Sequence, residues 1–304
     1  MGHPIKFILI ICLLFVACNA DKKEANPPTQ PINIIVILDV SDRLLKEKLP
    51  GQERQTVKDK KIAKGIISQY ENFARKTYYI GNRHRLAFVV PAQPGVTKLI
   101  PQETLETLKL WPTNEDRAKG APRFREMKEK VNTAIDSLYQ FIEDRQEFTG
   151  SDIWGWFKVS AEEYLQPNAL NYIICISDGY LYLNRMYLPE LPREGNKTAV
   201  ILHDVVERFS REPNWKTEFV QEGYGLLSID KDFSESNVKF LMVEVGLPTL
   251  RVKDLPILKA YWIPWLQEMG ISEADFIHTQ DDPQVVIEKI KDFLSPPKRL
   301  VNGK

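Results

Sequence analysis

Apolar residues recur along the chain in short unbroken runs, and these runs predict strands. The segments at 32–39, 85–90, 172–177 and 238–246 are rich in β-branched or aromatic residues. Continuous runs of this kind are typical of strands that are covered on both faces in a parallel sheet. A shorter run at 275–279 indicates one more strand.

Between these runs the apolar positions follow a helical period. That spacing predicts amphipathic helices at residues 55–76, 124–142, 151–165, 255–269 and 283–294. Ser151 is a candidate N-cap for the third of them. Because strands and helices alternate, we expect an α/β fold with a doubly wound, mostly parallel sheet flanked by helices.

Two segments interrupt the alternation. Residues 92–122 are rich in proline and charged residues, which predicts an irregular excursion. Residues 180–237 hold one helical stretch at 199–209 and have too few periodic apolar positions for a core of their own. We therefore interpret 180–237 as an insertion into a single domain that spans 32–297 and is followed by a tail at 298–304.

The N-terminus combines a basic residue with a short apolar run. Lys6 precedes an apolar run of about a dozen residues, too short to cross a bilayer and typical of a secretory signal. The run ends in "FVAC", which resembles the lipobox of bacterial lipoproteins. The resemblance implies a signal peptide at 1–17, a Cys18 that carries lipid such as palmitate, and a polar tether at 18–31. Asn19 is not the aspartate associated with inner-membrane retention, so the outer membrane of the cell envelope is favoured; the alternative is a cleaved signal or short anchor with an incidental cysteine.

Composition narrows the possible functions. The 304 residues contain 41 Lys plus Arg and 41 Asp plus Glu, so the charge balance does not indicate a nucleic-acid partner. Of three cysteines, Cys12 would leave with the signal and Cys18 would carry the lipid, which leaves Cys175 in an apolar run. We expect Cys175 to be buried and the mature chain to have no disulfide.

Polar residues follow two of the predicted strands. Residues 39–43, "DVSDR", come after the first strand, and residues 177–179, "SDG", close a later one. The carboxyl ends of parallel strands meet at one edge of a sheet, where ligands gather. Residues 149–155, "TGSDIWG", place hydroxyl groups at the entry of a helix that we expect at the same edge.

Together these three segments resemble the von Willebrand factor A (vWA) domain and its metal-ion-dependent adhesion site. Ser151 stands in the position of the family's threonine, with Thr149 as the alternative. By this resemblance Asp39, Ser41, Ser151 and Asp178 are ligands of Mg²⁺ or another divalent cation, which prefers oxygen ligands. The alternative is that these residues cap strand and helix ends in a polar network without metal.

The resemblance covers residues 32–297 and departs from the family's pattern at one position. Arg43 stands where the second serine of the first motif is expected. Its guanidinium could bridge Asp39 and Asp178 as a mimic of the cation, and the metal site would then be vestigial. The other arrangement turns Arg43 outward along the following helix and leaves the four ligands to bind metal with an extra water.

Two classes of function stay open. The resemblance implies a non-catalytic module that binds a protein partner and is held at a membrane by the N-terminal lipid. The segment after "SDG" holds residue types enriched at interfaces, namely Tyr180, Tyr182, Met186, Tyr187 and Leu188. These side chains could instead fold back onto the core. The other class is a metal-assisted hydrolase that uses Asp39 and Asp178. Because no general base or nucleophile with a partner is recognisable, the binding module is favoured.

Overall fold

The structure is a computed structural model that describes residues 30–44, 53–92, 100–144, 150–181, 192–246, 253–279 and 282–295. Residues 31–304 cluster into one compact unit. The predicted signal peptide and Cys18 lie outside the described residues, so both stay predictions. Among the described residues, no helix combines the length and apolar character that crossing a membrane requires.

The described strands form two sheets. In chain order they are β1 (Ile32–Leu38), β2 (Arg85–Val89), β3 (Lys109–Leu110), β4 (Leu170–Ile176), β5 (Arg193–Glu194), β6 (Lys197–Thr198), β7 (Gly225–Leu226), β8 (Val238–Val245) and β9 (Glu273–His278). The main sheet has six strands in the order β3-β2-β1-β4-β8-β9, and β5, β6 and β7 form a small separate sheet.

Every neighbouring pair in the main sheet is parallel except β2 and β3, which are antiparallel. The chain proceeds outward from β1 in one direction and from β4 in the other, so the strand order reverses between these two strands. This is a doubly wound arrangement. The predicted α/β fold with a mostly parallel sheet is therefore confirmed.

Helices cover both faces of the main sheet. They are α1 (Gln55–Lys76), α2 (Gln102–Thr107), α3 (Asn114–Ala118), α4 (Gly120–Asp144), α5 (Ile153–Val159), α6 (Ala161–Tyr164), α7 (His203–Arg211), α8 (Trp215–Gln221), α9 (Asp254–Glu268) and α10 (Pro283–Phe293). Buried residues of α1, α4 and α10 belong to one hydrophobic cluster. Those of α5 to α9 belong to the other.

Strand β1 shows why its sequence is apolar throughout. Ile34, Val36 and Leu38 pack into the cluster of α1, α4 and α10, whereas Ile35 and Ile37 pack into the opposite cluster. Successive side chains of a strand point to opposite faces, so a strand between two helical layers needs apolar residues at every position. Each fully buried isoleucine stabilises the fold by about 1.5–3 kcal/mol relative to an exposed one.

The segment between β4 and β8 shares the core of the main sheet. Residues 192–237 contain the small sheet, α7 and α8, and their buried apolar side chains lie in the cluster that also contains α5 and α9. The helix predicted at 199–209 is observed as α7. It begins only at His203, because Leu202 is extended.

Two local predictions are wrong. Ser151 does not cap α5: the N-cap is Asp152, whose Oδ1 accepts a hydrogen bond of 2.7 Å from the Gly155 amide. The described part of 92–122 is also more regular than predicted, since it contains α2, β3 and α3. Helix α3 begins at a capping box formed by Thr113 and Asp116, which the sequence reading overlooked.

Candidate functional site

Strands β1 and β4 end at the same level, which brings two predicted site segments together. Leu38 pairs with Ile176, and the Asp39 amide donates to the Ile176 carbonyl at 3.1 Å. Directly beyond this pairing, the Ser177 hydroxyl donates a hydrogen bond of 2.6 Å to Oδ2 of Asp39. The contact lies where the strand order reverses, the position at which open α/β sheets bind ligands.

The turn that carries Asp178 is shaped by the following glycine. Gly179 has a φ of +86°, and a Cβ there would lie 3.2 Å from Cγ1 of Val245. Glycine tolerates this backbone and this close approach better than any other residue. The turn is held on both sides, because Trp262 Nε1 donates to the Gly179 carbonyl at 2.8 Å and the Gly246 amide donates to the Asp178 carbonyl at 2.8 Å.

A cavity of about 120 Å³ opens at this edge of the sheet. It is lined by Asp39, Ser41, Asp42, Ser151, Asp178, Tyr180, Ile201 and His203. The structure thus brings the four predicted cation ligands around one cavity from three separate segments of the chain. Thr149, the alternative to Ser151, lies outside the described residues.

Two oxygen atoms among these side chains lack a hydrogen-bond partner within the described part of the chain. They are Oδ1 of Asp39 and Oγ of Ser151, and both residues are buried, with 2% and 4% of their surface exposed. An unpaired buried oxygen destabilises the fold by about 1–3 kcal/mol unless a ligand or water satisfies it. Oxygens with unsatisfied lone pairs are the groups that a hard cation binds.

Arg43 adopts neither of the two arrangements considered from the sequence. It points inward and is 5% exposed, but it is not among the residues that line the cavity. Its Nη2 pairs with Oδ2 of Asp59 and donates to the Ile176 carbonyl at 3.0 Å. Its Nε donates to the Asp39 carbonyl at 3.1 Å and lies 3.5 Å from Oδ2 of Asp39. Arg43 therefore joins Asp39 to Asp59.

Asp59 is held in place by two helices. Gln55, one turn earlier in α1, donates from Nε2 to Oδ1 of Asp59 at 2.8 Å. The Tyr139 hydroxyl, on α4, donates to Oδ2 at 3.4 Å. Asp59 has no exposed surface. A buried carboxylate with these donors and a guanidinium is well compensated for the loss of water.

The polar network continues to the end of β8. Oε2 of Glu244 pairs with Lys58 Nζ at 2.8 Å and accepts hydrogen bonds from Gln55 Nε2 at 2.9 Å and Thr279 Oγ1 at 3.0 Å. Glu244 sits at a bulge between β8 and β9 with a φ of +70°. That backbone is unfavourable for a residue other than glycine, by roughly 1 kcal/mol or more, so the surrounding contacts must hold it there.

Electrostatics at this edge favour an added positive charge. Among the described residues, the buried carboxylates are Asp39, Asp59, Asp178, Glu244 and Asp254, and the buried lysine and arginine side chains are Lys58 and Arg43. Burial raises the pKa of Asp39 to about 7; Arg43 opposes the increase, Asp178 adds to it, and the Ser177 and Ser41 hydroxyls oppose it. Burial also raises the pKa of Glu244, against the charge of Lys58.

The sequence reading missed the polar residues of α1. Gln55, Lys58 and Asp59 are all buried, although charged residues at the start of a helix are usually solvated. A signal was present in the spacing, because Gln55 and Asp59 lie on the same helical stripe as the buried Ile62 and Ile66. Polar residues on an otherwise apolar stripe indicate a buried polar site.

Of the five predicted partner-binding residues, only Tyr180 lies within the described residues. It is not an exposed interface residue, since 6% of its surface is accessible. Its ring stacks on His203 with 4.2 Å between centroids, and it contributes to the cavity wall. Tyr182, Met186, Tyr187 and Leu188 lie outside the described residues, and their role stays a prediction.

No family model matches the chain, and no curated protein matches it either. Among the described residues, no group of three or more His, Cys, Asp or Glu side chains is arranged to hold a metal. The cavity is built differently, because two of its four candidate ligands are the serine hydroxyls of Ser41 and Ser151.

Proposed function

We propose that this chain is a lipid-anchored protein of the cell envelope whose vWA-like domain binds a protein partner without chemical turnover. The anchor is the lipid on Cys18, and the outer membrane is the proposed location. The binding site is the cavity at the carboxyl ends of β1 and β4. The segment at 180–237 is an insertion that begins at the "SDG" turn, next to that cavity.

The observation that carries this proposal is a pair of oxygens at the cavity that have no hydrogen-bond partner in the described part of the chain, Oδ1 of Asp39 and Oγ of Ser151. Together with Ser41 and Asp178 they form a donor set suited to Mg²⁺ or a similar divalent cation, which takes hydroxyl and carboxylate oxygens and retains water. When bound, the cation would supply a position for a carboxylate of the partner. The four side chains would hold and orient the ion.

Charge supports the same proposal. Burial is the main reason that the pKa of Asp39 is raised to about 7, and the charge of Asp178 adds to the increase. A cation between the two carboxylates would relieve their repulsion. Arg43 leaves the cavity open because its guanidinium is engaged by Asp59. On this proposal the site accepts an ion despite the arginine.

The proposal of binding without catalysis rests on the neighbours of the cavity. The Ser177 hydroxyl has no exposed surface and donates to Asp39, so it is not presented to a substrate. The Cys175 thiol is also fully buried, as expected, and burial raises its pKa well above the usual value. A thiol of this kind is a poor nucleophile.

The test is affinity capture from envelope extracts with the full chain in mild detergent as bait. Three baits are compared, each with Mg²⁺ or with EDTA: the native chain, Asp178→Asn and the control Asp152→Asn, a carboxylate at the cap of α5. We expect a protein retained by the native chain and the control in Mg²⁺, and lost with EDTA or Asp178→Asn. A protein that is retained equally with EDTA and by Asp178→Asn would contradict the proposal.

A further inference from the structure

We infer that Asp59 keeps the Arg43 guanidinium away from the cavity and thereby keeps the cavity open to an external cation. Asp59 is thus a positioning residue for the ion site, although it touches neither the cavity nor the ion. The inference about the ion rests on the proposed function. The anchoring of Arg43 can be measured separately.

The guanidinium is directed toward the helical layer of α1 and α4. Its Nη2 pairs with Asp59, and Tyr139 of α4 donates to the same Asp59 oxygen. The cavity is lined from the other layer, by side chains such as Tyr180 and Ile201 that pack in the cluster with α5 to α9. Arg43 therefore contacts Asp39 on the side of α1 and α4, whereas the cavity lies on the side of α5 to α9.

Asp59 cannot easily move to follow Arg43. It is fully buried in the second turn of α1. Gln55, one turn earlier, donates to its Oδ1 at 2.8 Å, and Arg43 and Tyr139 contact its Oδ2. Gln55 is itself fixed, because its Nε2 also donates to Glu244 at 2.9 Å. Asp59 is therefore a rigid anchor for the guanidinium.

Removal of the Asp59 charge would leave the Arg43 guanidinium without its main counter-charge. A buried guanidinium stays charged and needs a counter-charge. The nearest remaining carboxylate is that of Asp39, whose Oδ2 already lies 3.5 Å from Nε of Arg43. Asp178 is the next carboxylate whose charge acts on Arg43. The guanidinium would turn toward these two groups and take the place that we assign to the ion.

Asp59 is the reason that an arginine can stand where the vWA pattern has a serine. An unanchored arginine would neutralise the two carboxylates from within and exclude an external cation. With Asp59 as its partner, the arginine instead donates to the Asp39 carbonyl, just beyond β1, and to the Ile176 carbonyl at the end of β4. The Asp59 carboxylate on α1 thus determines whether the site holds the Arg43 guanidinium or an external cation.

The experiment compares the native full chain in mild detergent with Asp59→Asn and with the double variant Arg43→Gln/Asp59→Asn. Mn²⁺ binding is followed by electron paramagnetic resonance. We expect Asp59→Asn to bind Mn²⁺ at least roughly tenfold more weakly, as one uncompensated unit charge near the ion implies. The double variant, which lacks the released charge, should return to within about threefold of the native affinity.

A crystal structure of Asp59→Asn provides the second measurement, which does not depend on the ion. We expect the guanidinium to contact the carboxylates of Asp39 and Asp178. A guanidinium that keeps its native position would overturn the inference, as would a double variant that binds no better than the single one. If the native chain binds no Mn²⁺, the cation part of the proposed function fails, and the crystal structure still decides the role of Asp59.

Asp59→Asn could fail to fold, since the site is buried. The double variant then carries the test, because it removes both charges and keeps hydrogen-bonding side chains at both positions. Native-like Mn²⁺ affinity in the folded double variant would support the inference. A large loss of affinity would show that the pair supports the site in some way other than by balancing the arginine, and would overturn it.

Discussion

The hydroxyl of Ser177 donates to one carboxylate oxygen of Asp39 at 2.6 Å, and the other oxygen of Asp39 has no partner among the described residues. The carboxylate is therefore half satisfied by the protein. Within a buried site such a group gains stability either from a proton or from an external cation. Whether Asp39 binds a proton or a cation can therefore be measured.

The first prediction concerns pH. Burial raises the pKa of Asp39 from 3.8 to about 7 in the folded chain, so between these values the folded state retains a proton that the unfolded state has lost. The free energy of unfolding should therefore fall as pH rises across this window, by up to about 1.4 kcal/mol per pH unit from this group. Urea unfolding in EDTA between pH 4 and 8, run at intervals of about one unit, measures it.

The matched variants are Asp39→Asn and Asp230→Asn, the second at an exposed carboxylate. We expect Asp39→Asn to be relatively more stable at the upper end of the window and to lose this contribution to the slope. Asp230→Asn should follow the native curve. Identical slopes in the native chain and Asp39→Asn would show that Asp39 is ionised throughout.

The second prediction separates two adjacent residues. Ser151→Ala removes a buried hydroxyl that has no partner among the described residues, so we expect the free energy of unfolding to stay the same or to rise by up to about 1–3 kcal/mol, with a clear loss of Mn²⁺ affinity. Asp152→Ala removes the cap of α5 and should cost about 1 kcal/mol of stability with Mn²⁺ affinity retained. Urea unfolding and Mn²⁺ titration of both variants test it, and the reverse pattern would refute the assignment of Ser151 to the cavity.

The third prediction concerns the buried pair of Lys58 and Glu244. Lys58→Met leaves the Glu244 carboxylate buried without its cation, which should cost about 3–5 kcal/mol. Lys58→Met combined with Glu244→Gln should cost less than the two single changes added together. Lys61, which pairs with Glu53 on the exposed side of α1, is the control, and Lys61→Met should have little effect. Additive costs would show that the Lys58 and Glu244 charges are not coupled.

The fourth prediction concerns the anchor. We expect Cys18→Ala to abolish labelling with a radioactive fatty acid and to block normal processing of the precursor. Cys12→Ala should leave labelling unchanged, because Cys12 belongs to the predicted signal peptide. Equal labelling of the native chain and Cys18→Ala would contradict lipidation at this position.

The strands and the cavity residues could be predicted from the sequence for a physical reason. A strand between two helical layers is apolar at every position, so β1 and β4 were recognisable, and the order of a doubly wound sheet then places Asp39 and Asp178 at one edge. The cap of α5 was misassigned because Ser151 and Asp152 have similar capping preferences. The choice depends on where the chain enters the helix, which only the fold determines.

The counter-charges were harder to predict. Gln55, Lys58 and Asp59 begin a helix whose later turns are plainly amphipathic. Gln55 and Lys58 contact Glu244 of β8 and Thr279 beyond β9, and Asp59 contacts Tyr139 of α4, all of which follow much later in the chain. Glu244 interrupts an apolar strand, and its position at a bulge depends on the pairing with β9. Long-range packing of this kind leaves only a weak local pattern, the polar residues on the apolar stripe of α1.

The edges of the main sheet restrict how a partner can dock. At one edge, β3 is only two residues long and runs antiparallel to its neighbour. At the other edge, β9 presents the exposed acidic side chains of Glu273 and Asp275. Short or charged edges discourage the addition of a further strand from another chain. Recognition by main-chain pairing is thus disfavoured at both ends of the sheet, and self-association through the sheet is disfavoured for the same reason.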